Sequence, residues 1–561
     1  MKWSTVKDEP VRDILGGANK TLIERLLQRK YNGDVSSVPV IDYLAPAPTS
    51  IPVPAGVSRT VSGEQVTYEF SDKLPETGAW LETLAGPELS WLRALVTSKT
   101  IVRGSSYVDN GLQRLLAPRR GQKIVVSYSN GIPASVTIYG AARSYGPHID
   151  DFKAVEIKYD ASSKKIDVIV FEERSGVSVP LTLQFVFKPS QGFAPIHEVA
   201  TDRNKRIKEF YWKLWYGDNE TLPAIDLNET FVGPEVTIKQ EDVEQFCTVV
   251  KNQGEAYTSA RNKPVQAPMD FAIVTGWKAI MKSIFPSAID GDLLRLVHLS
   301  NGFRMVEGAK PLQVGDVCKA EAKIVSVINA NEGKIVKVKG HVYRKGERVI
   351  EVVSAFLYRG TFTDYENTFE ITEEPDYLVP FDNAAAIGVL ESKEWHDWDD
   401  ESFSPSVGTP LIFRIRSRIS FKDKTTYREL KVEGEIFIRN QLKVLEKVGS
   451  VEFSDTNCLG NPVLAYLQRH GTPQGLSTPL ANDGYSLAKG DSTTTFTAPL
   501  TNEPYSKISG DFNPIHINPY FSDFASLPAT ITHGLWSSAA TRRYVETVVA
   551  RSNPERVLAC V

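Results

Sequence analysis

The stretch Ile508–His516, ISGDFNPIH, places a carboxyl group and an imidazole five residues apart, on either side of an Asn-Pro step. A residue that precedes proline is pushed away from the α region. Asparagine is a good helix N-cap, and proline is favoured at the first helical position. We therefore predict a short helix that begins at Pro514, with His516 in its first turn and Asp511 on the incoming segment. Such a turn can bring the two side chains towards a common point.

A second element follows at Pro528–Trp536, PATITHGLW. Gly534 opens a predicted helix that runs to Ala550, and the small residues at 537–540 allow this helix to lie close to a sheet. The first backbone N–H groups of a helix have no partner within it and carry the positive end of its dipole. They are therefore placed to bind a developing oxyanion.

A simpler interpretation accounts for the same residues. Asp511 could be a loop carboxylate, Asn513 a helix cap and His516 a satisfied surface histidine. His533 could be no more than a residue at a helix start. Six of the eight histidines lie elsewhere in the chain, so histidine density decides nothing. Local chemistry alone makes a site plausible and goes no further.

The composition of the chain is that of a soluble globular protein, with 42% hydrophobic and 24% charged residues. Its 561 residues predict about three to five domains. A net charge of −4 indicates neither a nucleic-acid nor a membrane-surface binder. The four cysteines form no CxxC pair, so neither a metal site nor a disulfide framework is expected. With no signal core or apolar run of membrane length, we expect a cytoplasmic protein.

Changes of periodicity divide the chain into predicted regions around an α+β fold. The apolar helix Phe271–Ile284 is followed by consecutive strand patterns, which predicts an antiparallel sheet wrapped round a central helix. The predicted regions are a mainly helical segment at 1–118, a β-rich linker domain at 119–222 that ends in an amphipathic helix, a first sheet-and-helix domain at 223–368, a further strand domain and linker at 369–480, and a final domain at 481–561.

Two charged stretches have a functional and a simpler interpretation. The basic and aromatic residues of Arg203–Tyr216 could stack on nucleic acid, but we favour an amphipathic helix with its aromatic side chains packed inward. Trp395–Glu401 has a histidine among carboxylates, but its spacing matches no metal motif, so a solvated acidic loop is preferred.

At Ile508–His516 and Ile531–Leu535 the chain resembles the two-part signature of MaoC-like (R)-specific hydratases and dehydratases, which have the hot-dog fold. The eighteen-residue step from His516 to Gly534 also fits that family. Other segments resemble the β subunit of fungal fatty acid synthase, in the region between its enoyl reductase and its malonyl/palmitoyl transferase. These segments are Val136–Tyr145, Arg203–Gly217, Gln266–Trp277 and Gly315–Val327.

The resemblance implies tandem hot-dog domains and dehydration of a (3R)-3-hydroxyacyl thioester on an acyl carrier protein. His516 would remove the C2 proton, and Asp511 would protonate or orient the leaving hydroxyl, directly or through water. The backbone N–H of Gly534 would hold the thioester oxygen, Asn513 would shape the turn, and His533 would belong to the substrate-binding group. No metal or organic cofactor is implied for this region, whereas FMN and NADPH are expected elsewhere in the synthase. The implied partners are the carrier protein and the α subunit in a large α/β assembly.

A second copy of the motif is expected to be degenerate. Thr275-Gly276-Trp277 opens a helix much as His533-Gly534-Leu535 does, and counting back from Gly276 by the same 18 and 23 residues reaches Thr258 and Gln253. Neither can do the proton chemistry, so the domain at 223–368 is predicted to keep the fold without the activity. Its expected roles are to pair with the active domain and to shape the acyl channel.

Three functions compete at this point. The first is the dehydratase region of a fungal fatty acid synthase β chain, the second a free-standing (R)-specific enoyl-CoA hydratase, and the third a non-catalytic scaffold or thioester-binding segment. The chain lacks a Ser-Lys-Leu ending and has a long N-terminal half, which favours the first. A hot-dog domain also needs strands after its central helix, so the last domain is expected to be cut short at Val561.

Overall fold

The structure is a computed structural model that describes residues 52–560, except 87–89, 98–99, 104–105, 110, 141–151, 175, 192–193, 218–219, 259–263, 441 and 475–494. The chain divides into two compact units. The first consists of Met1–Leu222, Thr501–Glu503 and Phe512–Thr532, and the second of Pro223–Leu500, Pro504–Asp511 and His533–Val561. Residues 1–51 of the predicted helical segment at 1–118, and residues 475–480 at the end of the predicted strand domain and linker at 369–480, lie outside the described residues.

The described helices and strands are numbered in chain order. The α-helices are α1 (Thr77–Ala85), α2 (Trp91–Thr97), α3 (Gly111–Leu115), α4 (Arg203–Tyr216), α5 (Gln240–Val249), α6 (Ala272–Ile280), α7 (Ala384–Glu391), α8 (Pro462–His470), α9 (Glu503–Ser509), α10 (Pro519–Phe524) and α11 (Gly534–Tyr544). The strands of the first unit are β1 (Val57–Ser62), β2 (Gln65–Phe70), β3 (Thr100–Arg103), β4 (Ser106–Asp109), β5 (Lys123–Ser129), β6 (Ile132–Tyr139), β7 (Lys153–Asp160), β8 (Lys165–Arg174), β9 (Val177–Phe187) and β10 (Ile196–Glu198).

The strands of the second unit include several of 10 to 14 residues, together with short edge strands. They are β11 (Phe231–Val232), β12 (Val236–Thr237), β13 (Leu296–Met305), β14 (Val317–Asn329), β15 (Gly333–Arg344), β16 (Glu347–Arg359), β17 (Phe369–Glu373), β18 (Tyr377–Val379), β19 (His396–Trp398), β20 (Leu411–Phe421), β21 (Tyr427–Arg439), β22 (Leu445–Cys458), β23 (Thr472–Pro473) and β24 (Ala559–Cys560).

The first unit is built on a ten-stranded sheet in the order β1-β2-β5-β6-β7-β8-β9-β10-β3-β4. Consecutive strands β5 to β9 pair antiparallel, so the region predicted as a β-rich linker domain after residue 119 contains a run of neighbouring strands. In β8, alternate residues from Ile166 to Val170 are fully buried, as expected when one face of a sheet covers a core. Helix α4 buries Phe210, Tyr211 and Trp215, so its aromatic side chains are packed inward as predicted.

The prediction of a mainly helical segment before residue 119 is wrong for the described residues. Strands β1 to β4 lie there beside α1, α2 and α3, and all four strands join the ten-stranded sheet. The physical reason is a two-residue connection at Gly63-Glu64 between β1 and β2, with Gly63 at φ 57°. Glycine adopts this left-handed conformation without a Cβ clash, and such connections are typical of β-hairpins.

The second unit contains a central helical span, Met269–Ile284, formed by α6 with a 3-10 turn at each end. Antiparallel strands β13 to β16 follow it, with β14, β15 and β16 adjacent in the sheet. A Cβ at Gly276 of α6 would meet Ala320 of β14 at 3.8 Å, and one at Gly340 of β15 would meet Ile280 of α6 at 3.5 Å, so small residues let the helix and the strands approach closely. This arrangement confirms the α+β fold with a sheet around a central helix. The strand that follows α11, β24, pairs antiparallel with β13.

Strands β17 to β22 continue the same sheet and carry a second core. Leu390, Phe413, Val432 and Leu467 are among its fully or almost fully buried members. The segment interpreted as an acidic loop at 395–401 contains the short strand β19, which pairs with β22. None of the described helices is long and apolar enough to cross a membrane.

Candidate active site

Asp511 is held in the second unit by the end of helix α9. Its backbone N–H donates to the Ser509 hydroxyl at 3.1 Å, and that hydroxyl donates to the Tyr505 carbonyl at 2.7 Å. Gly510 turns the chain with φ 80°, and a Cβ at this position would meet Trp277 Cδ1 at 3.2 Å. The left-handed conformation therefore favours glycine here, and the space beside Trp277 is tight for a Cβ. Asp511 itself is buried.

His533 supports the Asp511 loop from the other side. Its ring is 1% exposed, and Nε2 lies 3.1 Å from the Asp511 carbonyl oxygen and 3.2 Å from the Ser506 hydroxyl. Because a carbonyl oxygen only accepts, we assign the ring proton to Nε2. The Asp511 carboxylate lies 3.9 Å from the same nitrogen. His533 thus joins the start of α11 to the loop that carries the acid.

Helix α11 begins at Gly534 with no side-chain cap. The first backbone bonds of the helix run from Trp536 and Ser537 to the His533 carbonyl, so the N–H groups of Gly534 and Leu535 lie before them. Gly534 borders a cavity of about 520 Å³ in the second unit. The cavity walls are mainly apolar, with Leu299, Leu535, Val545 and Val557 among the lining residues.

Asn513 and His516 belong to the first unit. The Asn513 side chain caps the 3-10 helix Pro514–His516 by accepting the Ile515 N–H at 3.3 Å, as the Asn-Pro step predicts. The same oxygen accepts the Tyr211 hydroxyl at 3.2 Å. His516 Nδ1 lies 2.8 Å from the carbonyl oxygen of Ile531, so Nδ1 carries the proton and donates. In the neutral ring the lone pair is then on Nε2, which is the form of a proton acceptor.

Further contacts of the first unit anchor the segment that follows His516. Asn518 caps α10 and donates to Glu172 at 2.9 Å, and the Tyr520 hydroxyl donates to the Gly140 carbonyl at 3.0 Å. The ring of Phe521 stacks on Phe210 with centroids 5.1 Å apart. Sequence reasoning missed this support, although a second Asn-Pro step at 518–519 signals the cap. The β-rich linker domain therefore holds the histidine segment in place.

The predicted site residues fall into two groups. In the second unit, Asp511 lies beside His533, which Gly534 follows in the chain. In the first unit, Asn513 and His516 belong to the same short helical turn. The pairing of Asp511 with His516 stays a prediction. The Asp511 carboxylate and the imidazole rings of His516 and His533 are ligand types that zinc sites use. His516 Nδ1 and His533 Nε2 already bond to backbone carbonyls. The expectation that the site works without metal is a prediction.

The copy predicted to be degenerate has the same order of elements as the copy predicted to be active. Helix α5, a 3-10 helix at Glu255–Tyr257 and the span Met269–Ile284 repeat the order of α9, Pro514–His516 and α11. Aligning the two three-residue 3-10 helices along the sequence pairs His516 with Tyr257 and, five residues earlier, Asp511 with Asn252. Counting back 18 and 23 residues from Gly276 therefore reaches positions one residue later than these two, because the loops before the two helices differ in length. Asn252 and Tyr257, like the exposed Gln253 and Thr258, are no acid–base pair.

Four family models match consecutive parts of the chain. They are the fatty acid synthase meander beta sheet domain at 71–218, the FAS1-like dehydratase domain region at 229–352, the fatty acid synthase subunit beta insertion domain at 369–467, and the MaoC-like domain at 482–559. The fold and these matches together define a MaoC-like hot-dog dehydratase region, as the two-part motif indicated.

The chain is homologous to the β subunit of fungal fatty acid synthase over nearly its whole length. It is 41% identical to fatty acid synthase subunit beta of Schizosaccharomyces pombe and 38% identical to that of Saccharomyces cerevisiae, over 99% of this chain in both cases. It spans 27% of the length of each of these relatives. Fatty acid synthase 2 of Mycosarcoma maydis is 36% identical over 98% of this chain and 15% of the relative.

Among solved structures, a MaoC-like dehydratase covers 59% of this chain and 80% of its own, with a TM-score of 0.33 and 14% identity. The family assignment therefore depends on the sequence relatives and the family models, and the fold assignment on the topology described above.

Proposed function

We propose that this chain dehydrates (3R)-3-hydroxyacyl-acyl carrier protein to trans-2-enoyl-acyl carrier protein, as the dehydratase region of a fungal fatty acid synthase β chain. The observation that carries the proposal is the tautomer of His516. Its Nδ1 donates to the Ile531 carbonyl, which leaves the Nε2 lone pair to accept a proton. A histidine fixed in this way is prepared for general base catalysis.

In the proposed reaction His516 Nε2 takes the C2 proton of the substrate. The C2–H electron pair forms the C2–C3 double bond as the C3–O bond breaks, with enolate character on the thioester oxygen. Asp511 gives a proton to the departing hydroxyl, directly or through water, so that water leaves. One proton has then moved from Asp511 to His516, and its return resets the site.

The backbone N–H groups at Gly534 would stabilise the charge on the thioester oxygen. They lie at the positive end of α11, and the residue at this point has no side chain to block access. The adjoining apolar cavity would accept the acyl chain. Asn513 would hold His516 through the helix cap, and His533 would act on the substrate through Asp511 rather than by contact, because its ring is enclosed.

The proposal extends to partners and setting. The substrate would arrive on an acyl carrier protein, and the α subunit would join this chain in a large α/β assembly in the cytoplasm. The region would need no metal or organic cofactor, while FMN and NADPH would serve other parts of the synthase. The relatives named above are fatty acid synthase subunits, which supports an oligomeric synthase.

The alternatives receive less support. A free-standing enoyl-CoA hydratase does not account for the meander and insertion domains that precede the MaoC-like domain. A non-catalytic scaffold does not account for a buried acid at Asp511, nor for the fixed tautomer of His516.

The proposal is tested by replacing His516 with Ala in an assembled synthase that contains this chain. We expect 3-hydroxyacyl products to accumulate while condensation and ketoreduction continue, as mass spectrometry of the acyl groups would reveal. The exposed His470 at the end of α8 provides the matched control, since His470→Ala removes the same groups away from the site. Normal flux to saturated products in the His516→Ala enzyme would contradict the proposal.

A further inference from the structure

A cluster of polar and charged side chains is buried in the second unit, and none of its members is a predicted site residue. Arg542 donates through Nε to Asp270 Oδ1 at 2.7 Å and also bonds to Glu546, one turn further along the chain. The Tyr257 hydroxyl donates to Glu546 Oε2 at 2.7 Å. All four residues are at most 3% exposed. The cluster therefore links four buried groups.

The cluster connects the degenerate copy with the helix of the active copy. Tyr257 ends the 3-10 helix of the degenerate copy, at the position that His516 occupies in the active one. Asp270 lies in the first turn of the span Met269–Ile284. Arg542 and Glu546, in contrast, follow Gly534 on the same continuous helical segment, 534–549. Tyr257, which stands in the degenerate copy where the active copy has its proposed base, therefore bonds to the helical segment that begins at Gly534.

The charges in the cluster do not balance, so the cluster is poorly suited to stabilise the fold by itself. One guanidinium faces two carboxyl groups, and burial raises the pKa of Asp270 although Arg542 partly opposes that shift. Asp270 Oδ2 and Arg542 Nη2 have no hydrogen-bond partner among the described residues. Buried ion pairs of this kind add little net stability, and the best-supported reason for keeping them is that they specify one geometry.

Glu546 lies where the helix changes its winding. Helix α11 ends at Tyr544, and a π-helical turn follows at Val545–Val549. Such turns are rare and occur often at functional sites. Here the turn contains the residue that bonds to both Arg542 and Tyr257. The helical segment is therefore held at a definite rotation and height.

We propose that Tyr257, Asp270 and Glu546 are positioning residues that act through Arg542 on the N-terminus of the catalytic helix. Gly534 and Arg542 are eight residues apart, so about 12 Å of rigid helix transmits the constraint. The inference rests on the proposed function, because its consequence is the placement of the Gly534 N–H against the thioester oxygen. A misplacement of about 1 Å at a reacting centre can lower a rate by about 100-fold.

The first arm of the test compares Tyr257→Phe and Asp270→Asn in the assembled synthase, with (3R)-3-hydroxyacyl-acyl carrier protein as substrate. We expect kcat to fall by about 10-fold with KM changed by less than about 2-fold, as for a loss felt in the transition state. Tyr358→Phe is the matched control. That tyrosine is fully buried in the same unit and donates to the Ile284 carbonyl at 2.9 Å, outside the cluster.

The second arm does not depend on activity. Amide hydrogen exchange of the peptide 531–540 should accelerate in Tyr257→Phe and Asp270→Asn, and stay as in the wild type in Tyr358→Phe. Arg542→Lys should retain a higher kcat and slower amide exchange than Arg542→Gln, because lysine keeps the positive charge. It should still fall short of the wild type, because lysine lacks the planar fork of donors of arginine.

The outcomes separate the two proposals. Unchanged kcat and unchanged exchange in both Tyr257→Phe and Asp270→Asn would overturn the positioning role. Equal losses in Tyr358→Phe would also overturn it, since they would show a general effect of buried hydroxyl loss. Full dehydratase activity in His516→Ala would instead remove the proposed function. The exchange of residues 531–540 would then still report whether the cluster holds the helix.

Discussion

Replacing Asn513 with Ala tests how the histidine segment is held. The Asn513 side-chain oxygen accepts two hydrogen bonds, from the Ile515 N–H at 3.3 Å and from the Tyr211 hydroxyl at 3.2 Å. Loss of an N-cap costs about 1 kcal/mol, and loss of a typical intramolecular hydrogen bond about 1 kcal/mol more. We therefore expect local opening of residues 512–518 to become easier by about 2 kcal/mol.

The measurement is amide hydrogen exchange of the peptide 512–518. A change of about 2 kcal/mol corresponds to roughly 30-fold faster exchange when opening is at equilibrium. The His516 N–H is a direct reporter, because it donates to the Asn513 carbonyl at 3.1 Å in the turn that the cap stabilises. Dehydration should slow in parallel, since His516 would spend more time away from its catalytic position.

Two further variants divide the expected effect. Asn513→Asp keeps an oxygen that can accept both bonds and should stay near the wild type. Tyr211→Phe removes one bond only and should accelerate exchange by about 5-fold, which corresponds to about 1 kcal/mol. Exchange in Asn513→Ala within about 3-fold of the wild type would refute this account of the cap. So would an Asp variant as perturbed as the Ala variant.

Three other substitutions give independent checks. Gly510→Ala forces a left-handed residue and a Cβ that meets Trp277 at 3.2 Å, so we expect a loss of about 1–2 kcal/mol in thermal or denaturant unfolding and weaker activity. Burial raises the pKa of Asp270 above its ordinary value of 3.8, so the unfolded chain releases this proton at lower pH than the folded protein and stability falls as pH rises from 3.8 through the raised pKa; melting temperature measured against pH should show a smaller decline in Asp270→Asn. The His341 ring and the Lys339 ammonium beside its carboxylate lower the pKa of Glu351 to about 2, so stability present above the ordinary value of 4.5 is lost as pH falls towards 2, and Glu351→Gln should flatten that acid limb.

The elements of the candidate site that depend on neighbours in the chain could be predicted from the sequence. The cap at Asn513, the short helix at Pro514 and the helix that begins at Gly534 follow from residue types within one or two turns. The acid, base and oxyanion-binding roles that these residue types allow could be predicted for the same reason. The resemblance then supplied roles that local chemistry left open.

Contacts between distant residues could not be predicted in this way. Tyr211 lies 302 residues before Asn513, and Glu172 lies 346 residues before Asn518, so no periodic pattern relates them. The aromatic side chains of α4 were expected to pack inward, but the sequence does not say against what. The hydrogen bond from Tyr257 to Glu546 could likewise not be predicted from the sequence, because it depends on how two repeats pack together.

The early strands were missed for a different reason. Val57–Ser62 and Gln65–Phe70 carry a recognisable two-residue hairpin connection, but the helical pattern of the following segment was extended over them. The hairpin signal lies in these residues themselves, and the helical pattern of the following segment outweighs it. Turn chemistry at Gly63 is therefore the better guide to this part of the chain.

The central claim is that His516 moves the C2 proton, and hydration of a trans-2-enoyl thioester in deuterium oxide tests it most directly. The wild-type protein should place one deuterium at C2 of the 3-hydroxyacyl product. His516→Gln should lower the rate of that incorporation by about 100- to 10,000-fold, the usual contribution of general acid–base catalysis. Deuterium incorporation in His516→Gln at a rate within a few-fold of the wild type would contradict the claim.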